Sequence, residues 1–205
     1  MRFILPKGRL FDSSISLIQS SGIEIAVPEG RTLVSRNGEN EILLAKPSDV
    51  PTYVERTGDI GIAGNDVTEE LGSDVFIPLR LGFGKCRISV SVPLGQSADI
   101  SSLDGKSIAT KYPGIASRFF FSMGVEVTIV KLSGSIELAP SIGIADAIMD
   151  IVETGSTLKE NGLLEAFKVM DVQAQIIVNR ISLKTRYDEI SEILDNFGKV
   201  VTNGQ

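Results

Sequence analysis

Apolar residues come in short bursts along this chain, each closed by glycine, proline or a polar pair. FILPKG, residues 3–8, reads as a buried strand running into a loop. RLFDSSISLIQSSG follows, with Leu10, Ile15, Leu17 and Ile18 on an approximate helical face and Gly22 as its stop. EILLAKP is a strand ended by Pro47. SDVPTYVERTG is a helix with Ser48 or Asp49 as its cap and Pro51 in its first turn. DIGIAG is a second short apolar strand, closed by glycine and the polar pair Asn65–Asp66. This strand–helix–strand order predicts parallel α/β pairing.

KCRISVSVP opens a new segment, and residues 93–104 read as a linking loop. KSIATKYP is a strand ending in a lysine-bearing loop, GIASRFFFSMG a helix stopped by Gly124, and VEVTIVKL a strand. GSIELAPSIG reads as a helix bent near Pro140, and AIMDIV as a strand. The tail, AQIIVNRISLKTRYDEISEILDNFGKVV, holds a strand and an amphipathic helix. A final strand returning to the first lobe would make a hinged pair with a cleft, where small ligands bind. The expected lobes are residues 1–89 with 175–205, carrying basic loops, and residues 90–174.

Two stretches resemble each other. SDVPTYVERTGDIGIAGND starts at Ser48, and SIELAPSIGIADAIMDIVETG starts at Ser135. Aligning the serines also aligns Asp59 with Asp146. Either the chain is built from two similar α/β lobes, or two common helix–strand units coincide by chance.

Composition narrows the chemistry. The chain has 205 residues, 42% hydrophobic and 22% charged, as expected of a globular protein. A net charge of −6 argues against a general nucleic-acid binder, which needs a basic face. No apolar run approaches the roughly 20 residues that cross a bilayer. MRFILPKGRL is too short in apolar residues for a signal peptide, so a cytoplasmic protein is expected. The single cysteine, Cys86, excludes an internal disulfide. There is no histidine, which removes histidine-based triads and the usual neutral-pH base.

DIVETGSTL, residues 150–158, is the most informative run. A strand feeds a Thr-Gly-Ser-Thr turn, and a helix starts just beyond it. Thr157 with Glu160 fits a capping box. Backbone N–H groups at such a turn attract a phosphate monoester. Gly155 would let the backbone come close, Thr154, Ser156 and Thr157 add hydroxyls, and Asp150 could accept from sugar hydroxyls. A sugar phosphate fits; so does an ordinary strand-to-helix turn with a good cap. No Gly-Lys-Ser/Thr follows at Walker A spacing.

The run ELAPSIGIADAIMDIVETGSTLKENGL, residues 137–163, closely resembles the phosphoribosyl-pyrophosphate motif of ATP phosphoribosyltransferase, the first enzyme of histidine biosynthesis. LPKGRL, KPSDVPTYVERTGDIGIAGNDV, GFGKCRISVSVP, IATKYPGIASRFF and IIVNRISLK resemble the same family in order. The resemblance implies two α/β lobes around a cleft, similar to the type II periplasmic-binding-protein-like fold. It also implies that the adenine N1 of ATP attacks C1 of phosphoribosyl pyrophosphate, with Mg²⁺ on the departing pyrophosphate. The family's long form carries a further ferredoxin-like domain with no room here. The chain therefore resembles the short form, expected as a homo-oligomer or beside a regulatory subunit resembling histidyl-tRNA synthetase, with no nucleic acid or membrane partner.

Such a reaction needs no proton removed from N1, so a protein without histidine can run it. Two polyphosphates must share one site, which calls for Arg, Lys and a metal. By resemblance Arg9 and Arg31 serve catalysis. Lys7, Gly8, Lys46, Arg87 and Lys111 serve ATP or polyphosphate; Lys46 stands where many members carry arginine and lacks its planar fork. Glu137, Asp150, Thr154, Gly155, Ser156, Thr157 and Leu158 serve phosphoribosyl pyrophosphate. No metal site is expected from protein groups alone. Asp49 reads as a cap, Tyr53 and Cys86 as packing residues, Arg118 as a surface ion-pair partner and Asp146 as a strand-start residue. The rival readings are a two-lobed small-molecule binding protein and a partner-dependent subunit of the same fold.

Overall fold

The computed structural model describes residues 1–28 and 30–203. The chain divides into two compact units, Met1–Gly84 with Gln173–Gln205, and Lys85–Val172. The boundaries expected at 89/90 and 174/175 therefore fall a few residues earlier. The cause is the strand Cys86–Pro93, which is continuous and pairs along its whole length inside the second unit. Residues 204 and 205 lie outside the described ones.

The first unit begins with β1, Arg2–Pro6, followed by α1, Phe11–Ser20. Next come β2, Val34–Asn37, β3, Asn40–Ala45, α2, Val50–Arg56, and β4, Ile60–Gly64. Helix α3, Asn65–Leu71, and β5, Val75–Arg80, follow. In the second unit β6 is Cys86–Pro93, β7 Ser107–Thr110, α4 Pro113–Ser122, β8 Thr128–Lys131 and β9 Ala147–Val152. Helix α5, Ser156–Glu160, and β10, Leu163–Val172, complete it. The chain then returns to the first unit with β11, Ala174–Asn179, α6, Arg180–Thr185, and α7, Tyr187–Asn203.

The first sheet has the order β2-β3-β1-β4-β11-β5. Strand β1 runs parallel to β3 and β4, and β11 runs antiparallel to β4 and β5. Alternation along β1 explains its two faces. Phe3 and Leu5 join Ile42, Ile60, Ile176 and Val178 against α1 and α7, through Ile18, Ile190 and Phe197. Ile4 joins Ala63 and Ile177 on the other face, against Val50 and Val54 of α2. Every residue of β4 is buried, as expected of a strand covered on both faces. Helix α2 lies close: a Cβ on Gly61 would fall 2.5 Å from Val54 Cγ2 and 3.1 Å from the Ile4 carbonyl oxygen.

The second sheet has the order β10-β6-β9-β7-β8. Strand β7 is parallel to β8 and β9, while β6 is antiparallel to β9 and β10. Ile88, Val90, Ile108 and Met149 pack on Ile115, Ala116 and Phe120 of α4. Ala109, Ile148 and Val152 pack on Ile136, Ala139 and Leu158 across the other face. The two sheets share one plan, with β8-β7-β9-β6-β10 matching β3-β1-β4-β11-β5 in order and direction. The internal repeat is therefore a topological one.

Several local expectations are corrected. Residues 136–138 form only a single 3₁₀ turn, because Ser135 and Pro140 bracket it. Neither Ser48 nor Asp49 caps α2 through its side chain; Ser48 donates to Asp49 at 2.9 Å, and a 3₁₀ turn at Pro47–Asp49 leads directly into the helix. Thr157 is not a cap either, since α5 starts at Ser156 behind a left-handed Gly155. The tail helix is two helices, because Asn179 caps α6 by accepting from Ile181 and Ser182 N–H, and that helix ends at Thr185. Among the described residues no helix is long and apolar enough to cross a membrane.

Candidate active site

In the second unit, β9 ends at Val152 and the chain turns sharply through Glu153–Gly155 into α5. Gly155 makes the turn at φ +82° and ψ +5°, a conformation open to glycine at no steric cost. The α5 hydrogen-bond ladder begins with Lys159 donating to the Gly155 carbonyl at 3.2 Å. The amides of Gly155, Thr157 and Leu158 thus lie outside that ladder. Left-handed then right-handed residues arrange successive N–H groups into an anion-binding concavity. Thr154 and Ser156 hydroxyls meet at 3.0 Å on its rim.

This turn forms part of a cavity of about 320 Å³. Glu137, Asp150, Thr154, Gly155, Ser156, Thr157 and Leu158 all line it, with Ile148, Ile151, Val152 and Glu153. The structure so brings together the seven residues expected to serve phosphoribosyl pyrophosphate. Leu158 contributes backbone, because its side chain is core. Glu137 reaches the cavity from the 3₁₀ turn opened by Ser135, whose φ of +49° is left-handed. Backbone strain in a non-glycine residue clusters at functional sites, and sequence reading gave no sign of this one.

Asp150 is held from the neighbouring strand end. Lys111, just past β7, pairs with Asp150 Oδ1 at 3.1 Å, and its ammonium also stands 5.1 Å from the Tyr112 ring centroid. Asp150 Oδ1 accepts the Ile151 N–H at 2.7 Å as well, so both bonds fall on one oxygen. Lys111 lies in the second unit and pairs there with Asp150, one of the residues lining the Gly155 cavity.

Arg87 is also in the second unit, and its guanidinium is engaged. It grips Glu165 of β10 with Nε and Nη2, both at 2.6 Å, and Nη1 donates to the Glu153 carbonyl at 3.2 Å. Ser89 donates to the same carboxylate at 2.7 Å. Arg87 and Ser89 hold the Glu165 carboxyl below its ordinary range, and Glu165 raises the Arg87 guanidinium further. Glu165 escaped the sequence reading because β10 carries irregular alternation, with register shifts on either side of Phe167 and Lys168.

The first unit presents its basic residues on one sheet edge. Strands β1 and β3 end together, with Pro6 opposite Ala45 and the Lys7 N–H donating to the Ala45 carbonyl at 2.8 Å. Lys7, Gly8 and Arg9 leave β1 there, and Lys46 leaves β3; the three side chains are exposed. Gly8 turns the chain at φ +81°, and its carbonyl accepts from Phe11 at 2.9 Å. Arg9 Nη2 reaches the Gly84 carbonyl at 3.4 Å. The Leu33 carbonyl accepts the Leu44 N–H at 2.7 Å, which brings the loop bearing exposed Arg31 to the same edge. In both units the selected residues thus stand mostly beyond the carboxyl ends of parallel strands, where open α/β sheets bind ligands.

Cys86 and Tyr53 are not brought to either group. Asp146 accepts the Ser107 N–H at 2.9 Å and its hydroxyl at 2.7 Å, at the opposite strand end, and these bonds hold its carboxyl below the usual range.

Known proteins resemble this chain over most of its length. A family model described as HisG, ATP phosphoribosyltransferase, matches residues 46–199. A protein of Thermococcus gammatolerans named ATP phosphoribosyltransferase is 55% identical over 204 residues, covering 100% of both chains. A solved ATP phosphoribosyl transferase (HisG:HisZ) complex from Thermotoga maritima contains a chain of 29% identity that superposes with a TM-score of 0.88 over 99% of each chain. The substrate-binding protein of an amino acid ABC transporter superposes at a TM-score of 0.65 with 13% identity, covering 100% of this chain and 94% of its own, which marks a shared fold. With a family model over most of its length and a relative matching it end to end, the chain belongs to the ATP phosphoribosyltransferase family.

Proposed function

We propose that the Gly155 turn binds the phosphates of phosphoribosyl pyrophosphate, and that the basic strand ends of the first unit take the polyphosphate of ATP. The reaction joins adenine N1 of ATP to C1 of the ribose. The N1 lone pair forms the new C–N bond, the C1–O bond breaks, and pyrophosphate leaves with its electron pair. No base is needed to start, which suits a chain without histidine. Charge is the demand, and Arg9, Arg31, Lys7 and Lys46 supply it with Gly8 keeping the backbone close. Glu137 and Asp150 orient the ribose hydroxyls.

Mg²⁺ is part of this reading. Among the described residues no group of three or more His, Cys, Asp or Glu is placed to hold a metal. Glu137 and Asp150 do share the cavity, and two carboxylates suit an ion that keeps its waters and rides on substrate phosphate. Bound there, it would neutralise charge on the leaving pyrophosphate. We take the cytoplasm as the compartment. The HisG:HisZ complex supports an assembly of this chain with a second, different subunit.

The observation that carries the loop assignment is the left-handed Gly155 between two hydroxyl residues, in one cavity with both carboxylates. An ultraviolet assay with ATP, phosphoribosyl pyrophosphate, Mg²⁺ and pyrophosphatase tests it. Thr157→Val should raise KM for phosphoribosyl pyrophosphate about tenfold and leave KM for ATP unchanged. Equal weakening of both would remove the loop from this role. The two-lobed binding-protein reading predicts no turnover with both substrates present, with or without a regulatory partner.

A further inference from the structure

One group of side chains in the second unit touches the loop without lining it as substrate contacts would. The β6–β9 ladder ends at the pair Arg87 and Val152. The first carbonyl past the end of β9, that of Glu153, is taken at 3.2 Å by Arg87 Nη1. That carbonyl is the last backbone oxygen before Thr154 and Gly155. The Arg87 fork is itself fixed by Glu165, with two bonds of 2.6 Å, and Ser89 ties the same carboxylate to β6 at 2.7 Å. A planar, bidentate arginine–carboxylate pair fixes orientation as well as distance. The β10–β6 register shifts between Glu165 and Phe167, and a bulge of this kind re-aims a side chain. Here Glu165 stands opposite Ser91 yet bonds to Ser89 and Arg87.

We propose that Glu165 is a positioning residue for phosphoribosyl pyrophosphate: through the Arg87 fork it holds the Glu153 carbonyl, and so sets where the Gly155 turn begins. Arg87 is thereby a loop strut rather than a polyphosphate contact. This rests on the reading of the turn as the phosphate site. Ser89 seats the carboxylate, and Glu165 needs no contact with substrate.

The test is steady-state kinetics on the full chain, in whichever assembly is active, comparing Glu165→Gln and Arg87→Lys with Thr157→Val. Glu165→Gln keeps shape but loses the charged fork. KM for phosphoribosyl pyrophosphate should rise about tenfold, with kcat within about twofold and KM for ATP unchanged. Arg87→Lys keeps charge but cannot bridge two groups in a plane, and should give the same split. It also serves where Glu165→Gln does not fold. Amide hydrogen exchange at residues 154–158 should quicken in both. A fall in thermal stability with unchanged KM, or equal shifts for both substrates, would make the pair merely structural and overturn the proposal. If Thr157→Val raises KM for phosphoribosyl pyrophosphate and neither strut variant does, the strut fails while the loop reading stands. If Thr157→Val leaves that KM unchanged, the loop reading fails and the strut with it.

Discussion

Gly155→Ala isolates the backbone of the candidate phosphate loop. A Cβ built on Gly155 would meet only Val152 Cγ1, at 3.8 Å, an ordinary contact. Sterics with neighbours therefore cost nothing, and the whole effect comes from φ +82°. An L-residue in that region costs about 1–2 kcal/mol. Alanine also narrows the unfolded ensemble, which returns about 0.4–1 kcal/mol where the native conformation is allowed. The net expectation is a loss of about 1 kcal/mol, or about 2–4 °C in Tm for a chain of this length. Gly198→Ala is the control. It lies within α7, and its Cβ would meet nothing within 4 Å. There the same substitution should stabilise by about 0.5–1 kcal/mol, because helix propensity favours alanine. The assay is thermal unfolding of both variants beside steady-state kinetics. Gly155→Ala should lower Tm and raise KM for phosphoribosyl pyrophosphate with KM for ATP unchanged; Gly198→Ala should raise Tm and change neither constant. A Gly155→Ala protein as stable as wild type would show that the turn needs no left-handed residue. A lower Tm with unchanged KM would show that the turn is needed for folding and not for phosphate.

Two further outcomes follow from the first unit. Arg9→Ala should lower kcat about a hundredfold with Tm changed little, since the side chain is exposed and its bond to the Gly84 carbonyl is long, at 3.4 Å; an unfolded variant would make Arg9 a structural residue. Glu41 is held below the ordinary carboxyl range by hydrogen bonds from Arg2 and Arg36, at 2.5 and 2.7 Å. The stability it contributes is fully present above its unfolded value of about 4.3 and is lost as pH falls through the lower folded value. Urea midpoints of Glu41→Gln should therefore lie below wild type at neutral pH and converge with it in acid; parallel curves from pH 7 down to pH 3 would refute that role.

What the sequence revealed depended on whether local signals agreed with tertiary ones. β1, β3, β4, β9 and β11 were legible because they are short apolar runs ended by glycine, proline or polar residues, which is how strands covered on both faces look. β10 was not, since half-exposed positions and two register shifts break its alternation. The cap assignments at Ser48, Asp49 and Thr157 failed for one reason. Capping residues are also turn residues, and composition cannot say which backbone N–H a hydroxyl will meet. The left-handed turn proposed to hold phosphate was legible through Gly155 and its hydroxyl neighbours. The ion pairs Arg87–Glu165 and Lys111–Asp150 were not, because their partners lie 78 and 39 residues apart and meet only through strand order, as the pairings at 2.6 and 3.1 Å show.

The internal repeat bears on where the candidate site residues stand. Asp59 precedes β4 and accepts the Arg2 N–H of β1 at 2.8 Å; Asp146 precedes β9 and accepts the Ser107 N–H of β7 at 2.9 Å. Each aspartate ties the start of its unit's central strand to the parallel strand beside it. Both bonds lie at the amino ends of the strands, so the likeness between the two segments is strongest at the end of each sheet that sets strand alignment. At the carboxyl ends the units part. β4 runs straight from Gly64 into α3, whereas β9 runs through Glu153 and the left-handed Gly155 before α5. A frame fixed at one end leaves the other free to carry different loops without disturbing the register. Basic loops in one unit and a hydroxyl-rich turn in the other are what such a division permits. A residue aligned by the repeat is for that reason a poor candidate for chemistry, and Asp146, bonded to Ser107 far from the Gly155 turn along β9, fits that rule.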